Sequence, residues 1–144
     1  MNVRLMITEK FAEFIVSIQY EDLPEKVIDQ AKLCLLDFLS VTLRGSKTES
    51  AKVVNHIIKE NDESSIINGE RASAMDSALV NGISAHSLDL DDGHRIAQLH
   101  PGACVISAAL ALCEAGNKTG KDLIVSIVAG YEIAISLGIL VNPE

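Results

Sequence analysis

From Leu123 to Val141 the chain reads LIVSIVAGYEIAISLGILV, nineteen residues with a single charge, Glu132. A helix that long and that apolar has two homes, a bilayer or the inside of a packed bundle, since in both it satisfies its own backbone hydrogen bonds. Glu132 inside the run and Lys121 at its flank argue against lipid. Gly130, Ala134 and Gly138, four residues apart, lay a ridge of small side chains along one face, where another helix can approach closely. The segment therefore reads as a bundle helix, and no membrane association is expected. Thr119 followed by Asp122 has the form of a capping box at its start.

The remaining sequence keeps the same period. Thr8 is positioned to cap a first helix whose Phe11, Phe14, Ile15 and Ile18 share one face, ending near Tyr20. Pro24 opens a second, with Val27, Ala31, Cys34, Leu35, Phe38 and Leu39 on its apolar stripe and Gly45 placed to stop it. A third begins near Thr48, turns Val53, Val54, Ile57 and Ile58 inward, leaves His56 in solvent, and dissolves into Glu60-Asn61-Asp62-Glu63. SSIINGERAS is either a brief extended segment or a loop around the turn pair Asn68-Gly69. Ser73 with Asp76 starts a fourth helix through Leu79, Ile83 and His86. His100 before Pro101 is the N-cap of a fifth, carrying Cys104, Val105, Ala108, Ala109 and Leu112 and stopped by Gly116. With six helices and no credible sheet, the expectation is an all-α helical bundle forming a single domain over 1–144.

Composition excludes several functions. At 144 residues and 48% hydrophobic content, the chain can bury one core. Its 12 Lys plus Arg against 20 Asp plus Glu give a net charge of −8, which repels nucleic acid and anionic headgroups. Neither is an expected partner. Cys34, Cys104 and Cys113 are odd in number and lie in apolar runs, as small buried hydrophobes do, which points to a reducing, cytoplasmic setting. MNVRLMITEKF lacks the apolar core and cleavage site of an export signal.

Chemistry concentrates in HSLDLDDGHRIAQLHPGA, residues 86–103, which holds three of the four histidines beside Asp89, Asp91 and Asp92. If the fourth helix continues, His86 and Asp89 share a face, and the short linker Gly93 to Leu99 folds back to bring His100 near Asp89. The helix starting at Pro101 aims the N–H groups of Gly102 and Ala103 outward, where a carboxylate can bind with help from Arg95. There His100 is a candidate general acid or base, with Asp89 beside it and His86 a further candidate for binding substrate. Structural readings stand alongside. Asp91 and Asp92 serve equally as loop-closing caps, His94 as a solvated residue, and His86, in line with Leu79 and Ile83, as a core histidine bonded to a carbonyl. Three His and three Asp are also metal-ligand types, but their spacing matches no motif such as H-E-x-x-H, so no metal is expected. No Gly-rich phosphate loop or G-x-S-x-G elbow is present.

The run NGISAHSLDLDDGHRIAQLHPGACVISAALAL, Asn81 to Leu112, resembles the signature of the MmgE/PrpD family, which includes 2-methylcitrate dehydratase, cis-aconitate decarboxylase and iminodisuccinate epimerase. EKVIDQAKLCLLDFLSVTLRGS, INGERASAMDSALVNG and AGYEIAISLGILVNP resemble its flanking segments in the same order. The resemblance implies a lyase or isomerase acting on small di- or tricarboxylates, built on a helical domain in a homodimer, with no cofactor or metal required. It places Asp89 and His100 in the active site as catalytic residues and puts Gly93 where some members carry Thr. It also implies further site residues beyond Val-Asn-Pro, so the chain is expected to be a truncated or split form, inactive alone. A non-catalytic helical oligomerisation or carboxylate-binding module is the other reading.

Overall fold

The computed structural model describes residues 3–142. Six helices run in order, α1 (Val3–Ser17), α2 (Glu25–Gly45), α3 (Glu49–Ile57), α4 (Ala74–His86), α5 (Pro101–Ala115) and α6 (Gly120–Val141). A two-stranded antiparallel sheet, β1 (Glu60–Ser65) and β2 (Arg71–Ala72), sits between α3 and α4.

The starts read from the sequence near Thr48, Ser73 and Thr119 are in place, each as an N-cap. The side chains of Thr48, Ser73 and Thr119 accept from the backbone N–H three residues on, and Thr119 and Asp122 complete a reciprocal box. α2 ends at Gly45 and α5 at Ala115, just before Gly116. At its start the first helix departs from expectation. It runs from Val3, so Thr8 lies inside it rather than capping it, because nothing between Val3 and Thr8 breaks a helix. It also stops at Ser17, and Tyr20–Asp22 form a separate 3₁₀ turn.

The core lies where α2, α4, α5 and α6 meet, around Ala31, Phe38, Ala85, Ala103, Ile106, Ile124 and Ile127. Small residues set its spacing. A Cβ on Gly130 would collide with the Val105 side chain, and one on Gly138 would lie 2.7 Å from Leu99 and 2.8 Å from Ala97. The small-residue ridge of α6 is thus occupied by α5 and by the loop before it. α6 has the length and apolarity of a membrane span by composition.

The sheet corrects the expectation of no sheet and the reading of Glu60 to Glu63 as a dissolving helix end, and it takes up the extended alternative for SSIINGERAS at Ser64–Ser65 and Arg71–Ala72. What holds this polar strand is side-chain hydrogen bonding that hydropathy does not register. Glu114 of α5 accepts from the Ser64 hydroxyl at 3.0 Å and the Ser65 N–H at 2.6 Å. Asn81 of α4 accepts from Ile67 N–H at 2.8 Å and donates to Ser65 C=O at 2.9 Å. A second small cluster, Ile66, Ala72 and Val80 with Val54 and Ile58, packs beneath it. Val53 and Ile57 face out, 57% and 73% exposed, because α3 buries only the face turned to α4.

Two other faces are turned from their expected direction. α4 buries Ser77, Val80, Asn81, Ser84 and Ala85, leaving Leu79, Ile83 and His86 on its open side. α5 buries Ala103, Ile106, Ser107, Ala109 and Ala111, so Cys104, Ala108 and Leu112 are exposed. Cys104 is therefore not the buried hydrophobe its apolar neighbours suggested. Runs made largely of Ala, Ser and Gly offer little contrast between faces, so the period gives the helix but not its rotation.

Candidate functional site

The open faces of α4 and α5 border a cleft of about 830 Å³, with Leu79, Gly82 and Ile83 on one wall and Ala103, Cys104 and Ser107 on the other. Gly82 permits the close approach of the two helices, since a Cβ there would lie 2.8 Å from the Ala103 carbonyl oxygen. At one end of the cleft stand His86, the last residue of α4, and His100, the N-cap of α5. Their rings meet edge to face with centroids 5.0 Å apart.

Between them lies Asp91. Its carboxylate accepts from His86 Nδ1 at 3.0 Å and faces His100 Nδ1 at 3.4 Å, and its side chain is only 3% exposed. The other nitrogen of His100, Nε2, lies 4.0 Å from Asp89 Oδ1, and Asp89 is 83% exposed. Asp89 and His100 therefore do come together, but not by the expected route. α4 ends at His86, and Asp89 sits on a turn in which its N–H donates to His86 C=O, with φ of 52°. The left-handed backbone, which Asp tolerates better than most residues, breaks the helix and swings the carboxylate across to His100.

The anion pocket at the start of α5 is not arranged as expected. Gly102 N–H is already taken, donating to Asp92 Oδ1 at 2.9 Å. Asp92 also accepts from the Tyr131 hydroxyl of α6 at 2.8 Å. Burial first, and then the hydrogen bond to Asp92, push the Tyr131 hydroxyl well above its ordinary pKa, so it stays a donor. Ala103 lines the cleft, whereas Arg95 is exposed and lies outside its wall. His94, expected in solvent, is half-buried: its Nδ1 accepts from Ala97 N–H at 3.1 Å, and its N–H donates to Leu99 C=O at 2.9 Å. It folds the linker that returns the chain to His100, and Asn142 secures that linker through Ile96 C=O at 3.1 Å.

Asp91 is the residue that the sequence reading placed least well. In the D-x-D-D run the three acids look alike. They separate in the structure into an exposed partner of His100, a buried carboxylate that is hydrogen-bonded to His86 and faces His100, and a cap that ties α5 to α6.

The MmgE/PrpD N-terminal domain matches residues 9–144. The chain belongs to the MmgE/PrpD family. Among its curated MmgE/PrpD relatives, the human cis-aconitate decarboxylase is 32% identical over 136 residues, covering 88% of this chain and 28% of that protein. A cis-aconitate decarboxylase-like protein of Aspergillus oryzae is 27% identical over 143 residues, covering 92% and 30%. The cis-aconitate decarboxylase of Aspergillus terreus is 24% identical over 146 residues, covering 95% and 30%. The chain thus spans under a third of the length of these relatives. Within this MmgE/PrpD chain, the cluster at the cleft end draws on three pieces of backbone: the last residue of α4, the turn after it and the cap of α5.

Proposed function

We propose that the cleft is the acid–base part of a lyase or isomerase site for small di- or tricarboxylates, with His100 and Asp89 as catalytic residues and His86 beside them. The carrying observation is His100 held between two carboxylates at the end of an open cleft. Asp91 holds the Nδ1 side of the ring, leaving Nε2 toward Asp89 as the nitrogen that exchanges a proton. In an aconitate-like decarboxylation the bond to the departing carboxylate breaks, carbon dioxide leaves, and the carbon left electron-rich takes a proton from Nε2. Methylcitrate-like dehydration and iminosuccinate-like epimerisation use the same group in the other direction, removing a proton next to a carboxylate. The cis-aconitate decarboxylase relatives favour the first.

The cleft wall carries no Lys or Arg among the described residues, so a polycarboxylate meets little positive charge there. Ala103 already lines the cleft, whereas Arg95 and Gly102 enter only if substrate rearranges the start of α5. Binding by this chain alone is therefore expected to be weak and without turnover. The same feature favours a second reading, a non-catalytic carboxylate-binding or oligomerisation module.

Isothermal titration of the chain with cis-aconitate, citrate and succinate, with turnover followed by carbon dioxide release, tests both. Binding that falls at least tenfold in His100→Ala supports the site; equal binding by the two proteins removes it. Turnover lost in the same variant would make the chain itself an enzyme. The proposed setting is the cytoplasm. Leu33, Leu36 and Leu43 of α2, each more than half exposed on one side, support a homodimer or higher oligomer. Sedimentation is expected to give at least twice the 15.4 kDa monomer mass, and a monomer at micromolar concentration would contradict it.

A further inference from the structure

We propose that His86, Asp89, Asp91 and His100 bind a divalent late first-row metal ion such as zinc, and that the bound ion switches off acid–base work at the cleft. The binding half stands on the donor set alone, while the regulatory half rests on the function proposed above.

One ligating atom from each of the four residues lies within 4.8 Å of all the others. Zinc bonds of about 2.0–2.1 Å in a tetrahedron place neighbouring donors roughly 3.3 Å apart. The link from Asp91 to His86, at 3.0 Å, is already near that spacing, and the other Asp91 oxygen lies 3.4 Å from His100 Nδ1. Asp89 meets His100 at the opposite nitrogen, Nε2, 4.0 Å away, so an ion bound through a single His100 nitrogen requires a contraction from the 4.8 Å within which the four donors lie. Asp89 is the ligand able to supply it, since it projects from an exposed turn, whereas Asp91 is fixed by burial.

Charge gives an independent reason. The Asp91 carboxylate is almost withdrawn from water, and its ion-pair partners among the described residues are the two imidazoles. A buried carboxylate is costly unless positive charge compensates it. A dication provides that charge with both rings neutral. Two imidazoles with two carboxylates suit zinc, cobalt or nickel better than magnesium or calcium, which prefer an all-oxygen shell. The set escaped a spacing search because its members come from a helix end, a turn and the next helix's cap rather than one helix face. An ion held there takes a lone pair from each imidazole, so His100 can no longer accept a proton.

The test uses the chain stripped with a chelator and titrated with Zn²⁺ against a chromophoric chelator, and with Co²⁺ followed by its visible absorption. One zinc per chain with a dissociation constant of ~10 µM or tighter is expected, with tetrahedral-type cobalt bands. Affinity should fall at least tenfold in His86→Ala and in His100→Ala. It should not change in His56→Ala, at an exposed site, or in Cys104→Ser, on the cleft wall. His86 and His100 are 56% and 40% exposed, so both alanine variants should keep the helical circular dichroism of the parent. No binding, binding that survives both histidine variants, or binding that depends on Cys104 overturns the site. Carboxylate titration of the metal-free chain separates the two ideas. Binding of cis-aconitate through His100 without zinc binding sinks this proposal alone, and zinc binding without carboxylate binding sinks the functional reading and the regulation with it.

Discussion

Replacing Gly45 with alanine is expected to destabilise the fold by about 3 kcal/mol and lower its thermal midpoint by roughly 10 °C. The last turn of α2 crosses α4 so closely that a Cβ on Gly45 would overlap the carbonyl oxygen of Ser84. Backbone cannot rotate aside as a side chain can. Both helices are pinned there: Thr42 and Ser84 are 0% and 1% exposed, and each hydroxyl donates to a carbonyl of its own helix. The added methyl must push α2 and α4 apart, opening the packing around Phe38 and Ala85 and widening the cleft on the other side of α4. Gly130→Ala provides the comparison, because its clash is with the Val105 side chain rather than with backbone. Urea denaturation of the two variants should show the Gly45 substitution as clearly the more damaging. A loss under about 1 kcal/mol at Gly45 would mean that the α2–α4 contact gives way freely and does not set the geometry of the site.

Gly45 also shows where sequence reading reaches its limit. Its position after an apolar stripe marked the end of a helix, and α2 does end there. Its second role, admitting another backbone, depends on a partner 39 positions away and has no local signature. The same division runs through the molecule. Caps and breakers were legible because Thr48, Ser73 and Thr119 act on N–H groups three residues on, within the same stretch of chain. Helix rotation was not legible for α4 and α5, whose small residues are nearly as apolar on the buried side as on the open one. The Glu60–Glu63 part of β1 and its pairing were missed, because the strand's ties to Glu114 and Asn81 join residues far apart in sequence. In the site, the proximity of Asp89 and His100 followed from a short linker and a helix start. The burial of Asp91 did not, because nothing local tells one acid of a D-x-D-D run from the next.

Asp92→Ala is expected to cost about 2–3 kcal/mol, since it leaves two partly buried donors, Gly102 N–H and the Tyr131 hydroxyl, without their acceptor. Tyr131→Phe removes one of these bonds and should cost about 1 kcal/mol, and the double variant should cost less than the sum because both substitutions break the same contact. The geometry leaves no alternative arrangement. A Cβ on Gly102 would lie 2.5 Å from Asp92 Oδ1 and 3.0 Å from the Tyr131 oxygen, so only glycine lets the carboxylate sit over the start of α5. The pH dependence is distinctive. In the unfolded chain Tyr131 loses its proton near pH 10, whereas in the folded chain burial and then Asp92 hold that proton to higher pH. Above pH 10 the folded state therefore binds more protons than the unfolded state, and the bond's contribution, complete below pH 10, declines as pH rises. The stability advantage of the parent over Tyr131→Phe should accordingly be constant from pH 7 to 9 and shrink from pH 10 upward, with other groups cancelling in the difference. An advantage that stayed flat through pH 11 would place the hydroxyl in solvent and detach Asp92 from α6. The start of α5, and with it His100, would then have to be held in place by the His86–Asp91–His100 contacts alone.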